Sequence, residues 1–179
     1  MKPKKVYLLS GPPASGKSTW IRAHLTPGSE WISRDNVRFA IVSEDEDYFS
    51  HEDEVFDTFI NYINQTLERD EIHSIYIDAT HLNKRSRNKT LNRVKKANIE
   101  ELNCVCFNTP VELCQARNSL RSGRARVPAS AIDNMFKSNP LWKNLDAVKL
   151  GNVYYMDKQL YNIKPNAKFS LAYKNLEKI

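Results

Sequence analysis

One stretch restricts the fold of this chain more than any other feature, and it runs Gly11-Pro12-Pro13-Ala14-Ser15-Gly16-Lys17-Ser18. It has the Walker A spacing, in which four residues separate one glycine from a Gly-Lys-Ser sequence. The apolar run Val6–Ser10 precedes it, and a helical pattern from about Lys17 to His24 follows it. This context predicts a buried strand, a tight turn, and a helix whose N-terminus faces a bound phosphate.

The residue types of this motif suit a nucleotide. Gly11 and Gly16 let the backbone turn so that its N–H groups face the phosphates. Lys17, expected in a solvated loop outside the core, reaches the β- and γ-phosphates, and Ser18 supplies a hydroxyl to Mg²⁺. The alternative is a turn that has the letters of the motif without its function. We expect ATP with Mg²⁺ to contact Gly11, Ala14, Ser15, Gly16, Lys17, Ser18 and Thr19.

Strand-like runs alternate with helical patterns along the chain. Strands are expected at Val6–Ser10, Trp31–Ser33, Ser74–Asp78, Leu102–Phe107 and Asn152–Met156. Helices are expected from Lys17 to His24, from near Asp35, from Ser50 to about Arg69, from Lys84 to about Ala97, after Pro110, after Pro128, and across 169–176. The alternation predicts an α/β fold, a P-loop NTPase-type parallel sheet with helices on both faces. Ligands of such sheets bind beyond the carboxyl ends of the strands.

Asp35 and Arg38 follow the second strand. Asp35 is placed where a carboxylate opposite the phosphate loop can accept the proton of an attacking hydroxyl. Arg38, three residues later, is expected on the same helix face. One side chain would contact the nucleophile and the other a neighbouring phosphate. The alternative is an aspartate that caps the helix beside a surface arginine.

An acidic residue also ends the third strand. Asp78 is followed by Ala79-Thr80-His81-Leu82-Asn83. An acid at the end of a strand beside the phosphate-loop strand is the Walker B arrangement, which holds Mg²⁺ directly or through water. We therefore expect Asp78 and Ser18 to be the metal-binding side chains. The alternative for Asp78 is a cap for the next helix.

Four arginines stand between Arg117 and Arg126, in a stretch interrupted by Ser122-Gly123. Arg117 and Arg121 are four residues apart and are expected to share a helix face. A mobile, helical arginine lid near 117–128 can close over ATP and neutralise charge on the transferring phosphate. The alternative is a basic connection between two helices without such a role.

The charge of the chain is unevenly placed. The net charge is +6, yet residues 44–57 hold eight acids and no Lys or Arg, which leaves 27 basic against 13 acidic residues elsewhere. Seven of the basic residues lie between Lys84 and Lys96, and the surplus predicts a polyanionic partner such as nucleic acid. For Lys84–Lys96 the alternative is a solvated helix face. The acidic segment is interpreted as a loop and the start of a helix capped by Ser50, not as a metal site.

The sequence also disfavours several classes of protein. No apolar run approaches the roughly 20 residues of a membrane helix, and Val6–Leu9 is too short for the apolar region of a signal peptide. We therefore expect a cytoplasmic protein with no membrane partner. Cys104 and Cys106 would share one face of a strand, without the spacing of a zinc site. We expect them to be buried, reduced thiols.

Taken together, these stretches resemble the polynucleotide 5′-hydroxyl kinase family in its phage-type form. The resemblance covers about residues 5–140 and rests on four segments. Besides the Walker A segment, they are Ser33-Arg34-Asp35-Asn36-Val37-Arg38, Asp78-Ala79-Thr80-His81-Leu82-Asn83, and the lid from Arg117-Asn118 through Val127-Pro128 to Met135. The Walker A segment is shared by many kinases, whereas the Arg-Asp-x-x-Arg element and the lid in the same order are far more specific.

The resemblance implies a P-loop kinase that acts on the 5′-hydroxyl ends of nucleic acids, often as a homo-oligomer. Asp35 would be the general base, while Lys17 and Arg121 would stabilise the transferring phosphate. Arg38, helped by Thr80, would hold the phosphate on the 3′ side of the terminal nucleotide.

The same resemblance assigns the lid, whereas the domain bounds below are expected from the order of the elements, because the resemblance does not extend beyond about residue 140. Arg117 and Arg121 would contact ATP, and Val127 would lie where the family places an apolar contact to the terminal base. Residues 1–150 would form the kinase domain with its lid. Residues 151–179 would form a C-terminal strand and helix, packed on the domain or used in oligomerisation. The sequence departs from the family at Ala14, where glycine prevails, and at His81, where asparagine is common.

Two other functions stay open at the level of sequence. A small-molecule kinase of the same fold, acting on a nucleoside, sugar or antibiotic hydroxyl, would also carry the phosphate loop and Asp35. It would not need the basic surplus. A nucleotide switch or nucleic-acid-binding module with negligible catalysis would not need Asp35. The preference between DNA and RNA has no signature in the sequence.

Overall fold

The computed structural model describes residues 2–107 and 109–138, together with the backbone of two later strands. The strands are β1 (Lys4–Ser10), β2 (Ser29–Ser33), β3 (Ser74–Asp78), β4 (Ile99–Phe107), β5 (Gly151–Met156) and β6 (Ile163–Pro165). The helices are α1 (Lys17–His24), α2 (Arg34–Ile41), α3 (Glu52–Glu68), α4 (Lys84–Leu91), α5 (Val111–Ser119) and α6 (Ala129–Ser138). Short 3₁₀ turns follow at Lys96–Asn98 and Gly123–Ala125.

The predicted parallel sheet is confirmed. Its strands lie in the order β2-β3-β1-β4-β5-β6, and β1 pairs in parallel with both β3 and β4. β2 pairs with β3, and β5 with β4, in the same direction. The short edge strand β6, which the sequence analysis did not predict, runs antiparallel to β5. It contains Pro165, and a proline is tolerated at an edge because no ladder hydrogen bond is lost there.

Helices cover both faces of the sheet, as predicted. Side chains along a strand point to alternate faces, so Val6 and Leu8 of β1 enter one core while Leu9 enters the other. The first core includes residues of α2, α3 and α4, and the second includes Trp20 and Ile21 of α1. All three β1 side chains are fully buried. Burial on both sides explains why the central strands are nearly continuous apolar runs.

The start of α3 differs from the prediction. The expected cap, Ser50, donates its hydroxyl to the carbonyl of Asp47 at 2.6 Å. His51 is the N-cap instead, with a left-handed φ of 57° and no capping hydrogen bond from its side chain. The serine is thus used in the preceding loop, and the helix starts at Glu52.

The basic helix α4 is shorter than predicted, since it ends at Leu91 rather than near Ala97. Asn64 of α3 supplies the reason. Its side-chain amide donates to the carbonyl of Arg93 at 3.1 Å and accepts from the N–H of Lys95 at 2.8 Å. These tertiary hydrogen bonds replace the ones that a longer helix would make.

Three further expectations concern the terminal helix, membrane helices and the cysteines. The helix expected across 169–176 lies outside the described residues. Within the described part of the chain, no helix is both long and apolar enough to cross a membrane. Cys104, Cys106 and Cys114 are buried, free thiols.

Candidate active site

The carboxyl ends of three neighbouring strands meet at one edge of the sheet. In the strand register Leu9 of β1 lies beside Asp78 of β3, which lies beside Ser33 of β2. The carbonyl of Thr80 accepts the N–H of Gly11 at 2.9 Å, which ties the segment after β3 to the phosphate loop. Residues far apart in sequence therefore come together where a parallel sheet binds its ligands.

The phosphate loop is closed to larger side chains at its start. A Cβ atom at Gly11 would lie 2.7 Å from Ser15 Oγ and 2.9 Å from the Cβ of Phe107. Gly16 has a φ of 109°, a left-handed conformation that glycine adopts without strain. Ala14 has a φ of 61°, so this position carries strain that a glycine would avoid. The departure from glycine at Ala14 therefore has a conformational cost.

Lys17 is buried, and the expectation of a solvated side chain is wrong. It is only 9% exposed, and its ammonium donates to the carbonyls of Gly11 and Pro12, both at 2.9 Å. A buried ammonium requires such acceptors, which explains its position. Burial lowers the pKa of Lys17, while the negative charges of Asp78 and Asp35 act in the opposite direction.

Side chains from outside the loop hold it in place. The hydroxyl of Thr109 donates to the carbonyl of Ser15 at 2.7 Å, and Arg117 Nη1 donates to the carbonyls of Ala14 and Ser15 at 3.4 Å. The buried hydroxyl of Ser15 has no hydrogen-bond partner among the described residues. This unpaired hydroxyl, the close approach at Gly11 and the nearby ammonium of Lys17 fit a bound phosphate chain.

Asp78 is the buried carboxylate of the site. It is 7% exposed, and its Oδ2 accepts the indole N–H of Trp31 at 3.2 Å. Burial raises the pKa of Asp78, and the charge of Lys17 opposes this rise. Within the described residues, no three His, Cys, Asp or Glu side chains form a metal cluster. Mg²⁺ would fit here with Asp78, the hydroxyl of Ser18 and substrate oxygens, because this ion is held by few protein ligands in phosphate-transfer sites.

Asp35 is the exposed carboxylate of the site. It lies in the first turn of α2, where Ser33 rather than Asp35 is the N-cap. Its side chain is 64% exposed, and its Oδ1 accepts hydrogen bonds from Arg38 and from the hydroxyl of Tyr48, both at 2.9 Å. Oδ2 takes part in neither bond. Asp35 therefore keeps one carboxylate oxygen for a further donor.

Arg38 directs its donors to other residues of the protein. It is 5% exposed, as predicted on the same helix face as Asp35, and its Nε and Nη2 both donate to one oxygen of Glu52. Its Nη1 donates to Asp35 at 2.9 Å and to Tyr48 at 3.1 Å. The second oxygen of Glu52 accepts from Arg34 at 2.7 Å. Arg38 is thus fixed beside Asp35, and its contact with a substrate phosphate stays a prediction.

Aromatic residues in and after α2 lie beside this cluster. The ring of Tyr48 meets those of Phe39 and Phe49 at steep angles, with centroids 6.3 and 5.0 Å apart. The guanidinium of Arg124 lies over Phe39 at 4.6 Å and donates to the carbonyl of Val42 at 2.7 Å. The arginine segment therefore contacts the end of α2 directly.

Arg117 and Arg121 were predicted to share one helix face, and this prediction is wrong. α5 ends at Ser119 because the N–H groups of the next two residues turn back to the carbonyls of Arg117 and Asn118. Arg121 then lies beyond the helix, and its Nη1 donates to the carbonyl of Ala125 at 3.4 Å. Arg117 belongs to a helix that supports the phosphate loop, whereas Arg121 belongs to the connection after it.

Val127 is held by a side chain whose role the sequence did not reveal. The amide of Asn118, which is 3% exposed, donates to the carbonyl of Val127 at 2.7 Å. It also accepts the N–H of Val127 at 3.0 Å. These two hydrogen bonds hold the two ends of the 118–127 loop together.

The predicted catalytic residues form one electrostatic group. Besides burial, the pKa of Lys17 is affected by Asp78, Asp35 and Arg121. The pKa of Asp78 is affected in turn, after burial, by Lys17, Asp35 and Arg121. Four charges from four segments of the chain therefore act on one another at the carboxyl edge of the sheet.

A family model described as an AAA domain matches residues 6–139. This chain belongs to that AAA domain family. The match runs from β1 to the end of α6 and so includes every predicted site residue. No curated protein matches the sequence significantly.

Solved structures similar to this AAA domain protein include kinases of different substrates. A chain of the Pnkp1/Rnl/Hen1 RNA repair complex has a TM-score of 0.65 at 18% identity, over 96% of this chain and 51% of that one. A fungal RNA kinase has a TM-score of 0.58 at 12% identity, over 88% of this chain and 76% of that one. Shikimate kinase from Acinetobacter baumannii has a TM-score of 0.55 at 18% identity, over 98% of this chain and 92% of that one. These likenesses show the P-loop kinase fold alone, and this chain spans about half of the RNA repair chain.

Sequence reasoning missed the residues that position the predicted ones. Glu52 had no distinguishing signal, because it stood among the acids that begin α3. Trp31 stood in a short strand, and Tyr48 stood in the acidic loop. A signal existed for Asn118, because this residue belongs to the lid segment that carries the resemblance. The missed residues are Trp31, Tyr48, Glu52 and Asn118.

Proposed function

We propose that this protein is a kinase that transfers the γ-phosphate of ATP to the 5′-hydroxyl end of a nucleic acid, in end repair or modification. The observation that carries the proposal is the carboxylate of Asp35. It is exposed, it is fixed through Oδ1, and it interacts electrostatically with Lys17 of the phosphate loop. A nucleotide switch would not need such a base beside the phosphates.

In the proposed reaction Asp35 accepts the proton of the acceptor hydroxyl as its oxygen attacks the γ-phosphorus. The bond between this phosphorus and the β–γ bridging oxygen breaks, and ADP leaves. Lys17 exchanges its bonds to the loop carbonyls for phosphate oxygens, and Arg121 adds positive charge from the lid. A Mg²⁺ ion held by Asp78 and Ser18 would neutralise phosphate charge.

A nucleic acid acceptor is supported by the charges around Asp35. Arg38 lies next to the proposed base, where it can attract a phosphate of the acceptor strand. The lid adds Arg121, Arg124 and Arg126. An RNA repair complex and a fungal RNA kinase are among the structures with this fold, so RNA ends should be tested beside DNA ends.

A second candidate function is a small-molecule kinase, and the partners of the basic residues favour it. Arg38 already donates to two carboxylates and a tyrosine. Part of the basic stretch Lys84–Lys96 is also buried, or neutralised by acidic residues of α3. The residues concerned are Arg87, which is 1% exposed, Arg93, which pairs with Asp57, and Lys95, which pairs with Glu68.

Transfer of label from γ-labelled ATP distinguishes the candidates. The acceptors are DNA and RNA oligonucleotides with a 5′-hydroxyl or a 5′-phosphate, a nucleoside and a sugar. A control reaction contains no acceptor. We expect label only on the 5′-hydroxyl oligonucleotides. Label on the nucleoside or sugar alone would establish the second candidate, and release of phosphate without any acceptor labelled would overturn both.

The phosphate loop supplies the negative control for this assay. Lys17→Met keeps the length of the side chain and removes its charge, so it should abolish transfer. Lys5→Met, at the other end of β1, removes a charge from an exposed lysine that pairs with Glu101. It should leave transfer unchanged.

A further inference from the structure

The buried carboxylate of Asp78 is held by a side chain from the neighbouring strand. Its Oδ2 accepts the indole N–H of Trp31 at 3.2 Å, and no other group among the described residues donates a hydrogen bond to this carboxylate. Asp78 is 7% exposed, so water has little access to it. A buried carboxylate is oriented by the donors that bind it. The direction of its other oxygen, Oδ1, therefore depends on Trp31.

The register of the sheet explains why a tryptophan can make this contact. Ser33 of β2 lies beside Asp78 of β3, and Trp31 lies beside Tyr76. Side chains two residues apart in a strand share a face, so Trp31 and Asp78 are diagonal neighbours on one face of the sheet. Such neighbours are about 7–8 Å apart, a gap that only aromatic and other long side chains cross. A short side chain at position 31 would leave Asp78 without this donor.

The ring of Trp31 is itself held in place. It packs against the second core, which contains Tyr76 and residues of α1. The guanidinium of Arg22, also on α1, lies over the ring at 5.5 Å from its centroid. A side chain whose own orientation is fixed by packing can fix the group that it binds. The indole therefore holds Asp78 in one orientation before any ligand enters the site.

The chemistry of the indole suits a carboxylate that binds a cation. An indole N–H is a donor only, and the ring carries no charge. An arginine or lysine at position 31 could also reach Asp78, but its positive charge would offset the carboxylate and repel Mg²⁺. Trp31 orients the carboxylate and leaves its negative charge available to the ion.

We propose that Trp31 is a positioning residue that sets the affinity of the active site for Mg²⁺ through Asp78. The inference rests on the proposed function, in which Asp78 and Ser18 hold Mg²⁺ beside the nucleotide, and it names the residue that tunes this binding. Hydrogen-bond partners of metal-binding side chains contribute about 10- to 100-fold to metal affinity. Because Trp31 acts through Asp78, its removal should weaken metal binding and leave kcat at saturating Mg²⁺ close to the wild-type value.

The test measures the binding of Mn²⁺, used in place of Mg²⁺, by electron paramagnetic resonance at saturating ADP. Trp31→Phe keeps an aromatic ring and removes the N–H, so it should raise the Kd for Mn²⁺ about 10- to 100-fold. Trp31 is only half-buried, so the variant should remain folded, which thermal unfolding checks. The Kd for ADP without metal should not change. In phosphate transfer, the Mg²⁺ concentration that gives half-maximal activity should rise by the same factor.

The matched control is Tyr76→Phe, which also removes one donor from the same face of the sheet. The hydroxyl of Tyr76 donates to the carbonyl of His24 at 3.0 Å, away from Asp78. This variant should leave the Kd for Mn²⁺ unchanged. A double variant, Trp31→Phe with Asp78→Asn, tests whether the indole acts through the carboxylate. It should bind Mn²⁺ as weakly as Asp78→Asn alone and no more weakly.

Equal Mn²⁺ affinity in Trp31→Phe and the wild type would overturn the inference while the kinase assignment stands. The same loss in Tyr76→Phe, or a further loss in the double variant, would show a general effect on the fold and would also overturn it. A wild-type protein that binds Mn²⁺ with ADP but labels no acceptor would overturn the proposed function. The effect of Trp31→Phe on Mn²⁺ binding would then still decide this inference.

Discussion

At the scale of single residues, a variant of Asp35 distinguishes its proposed role as proton acceptor from a role in binding. Asp35→Asn keeps an oxygen that accepts the hydrogen bonds of Arg38 and Tyr48. It removes the basic carboxylate, so kcat should fall by about 10²-fold or more, the usual scale of general-base catalysis. Steady-state kinetics and ATP binding measured on the same variant check this expectation.

Asp45→Asn is the control for the change of charge, because it removes an exposed carboxylate from the loop after α2. Its kcat should match that of the wild type. A large loss of ATP affinity in Asp35→Asn, with turnover of bound ATP retained, would assign Asp35 to the metal or to the structure instead.

Asp78 should destabilise the protein in the absence of ligands. Burial raises its pKa, so the folded state holds the proton more tightly than the unfolded chain does. The ionised form therefore costs stability at neutral pH, and this cost disappears as the pH falls below the unfolded pKa. Asp78→Asn keeps an acceptor for Trp31 and should raise the free energy of unfolding at pH 7 while transfer is lost.

Urea unfolding of wild type and variant from pH 7 down to pH 4 measures this effect. The difference between the two proteins should shrink as the pH falls. Asp45→Asn serves again as the control, because it changes an exposed carboxylate. A difference that grows toward low pH would show that Asp78 is stabilised in its ionised form.

At the scale of elements, the lid depends on one buried amide. Asn118→Ala leaves the N–H and the carbonyl of Val127 without their partner, which should cost about 1–3 kcal/mol of stability. The segment after α5 should then become less ordered, and the KM for the acceptor should rise. Thermal unfolding and acceptor kinetics on one preparation measure both effects.

Gln115→Ala is the matched control for the lid, because it removes another side-chain amide of α5. Gln115 donates to the carbonyl of Ala129 and to Asp133, and so joins α5 to α6. It should lower stability without raising the KM for the acceptor. Equal KM values in Asn118→Ala and the wild type would show that Val127 does not position the acceptor.

The elements themselves could be predicted because their signals are local. Short, nearly continuous apolar runs identify the central strands, and the helical repeat of Phe56, Phe59, Ile60 and Ile63 identifies α3. The start of α3 and the end of α4 could not be predicted. They depend on the hydrogen bond from Ser50 to Asp47 and on the contacts of Asn64 with the chain after α4.

The residues of the site also divide into those that the sequence could predict and those that it could not. The phosphate loop, Asp35 and Asp78 could be placed because each lies at or just after the end of a strand, and parallel strands end at one edge. The partners of Arg38 could not be placed, because Glu52 is 14 residues away and reaches it only through the packing of α3 on α2. The same limit explains the wrong expectation for Lys17, whose burial depends on the path of its own loop.

At the scale of the whole molecule, the basic surplus should appear in the salt dependence of binding. A strand that contacts the lid and the unpaired part of Lys84–Lys96 releases counterions, at a log–log slope of about −0.7 per phosphate neutralised. Two or three contacts then give a slope of about −1.4 to −2. The KM for a mononucleotide, a trinucleotide and a decanucleotide across a salt series measures it.

A small-molecule kinase gives a different result in this series. Lengthening the acceptor would bring no gain, and the salt dependence would be shallow. The double variant Lys84→Gln and Arg85→Gln, which removes two exposed charges at the start of α4, should lower the slope for the decanucleotide only. Three acceptors that behave alike at every salt concentration would exclude the polynucleotide substrate.

In the proposed reaction, the contact of Arg124 with the end of α2 would join the two substrate sites thermodynamically. Arg124 belongs to the lid that is proposed to close over ATP, and the Val42 carbonyl that it binds follows α2, which carries the proposed base Asp35. Any factor by which bound ATP tightens acceptor binding through this contact is also the factor by which the acceptor tightens ATP binding. Nucleotide then exchanges most readily when no acceptor is present, and its retention in the ternary complex favours transfer over loss of phosphate to water.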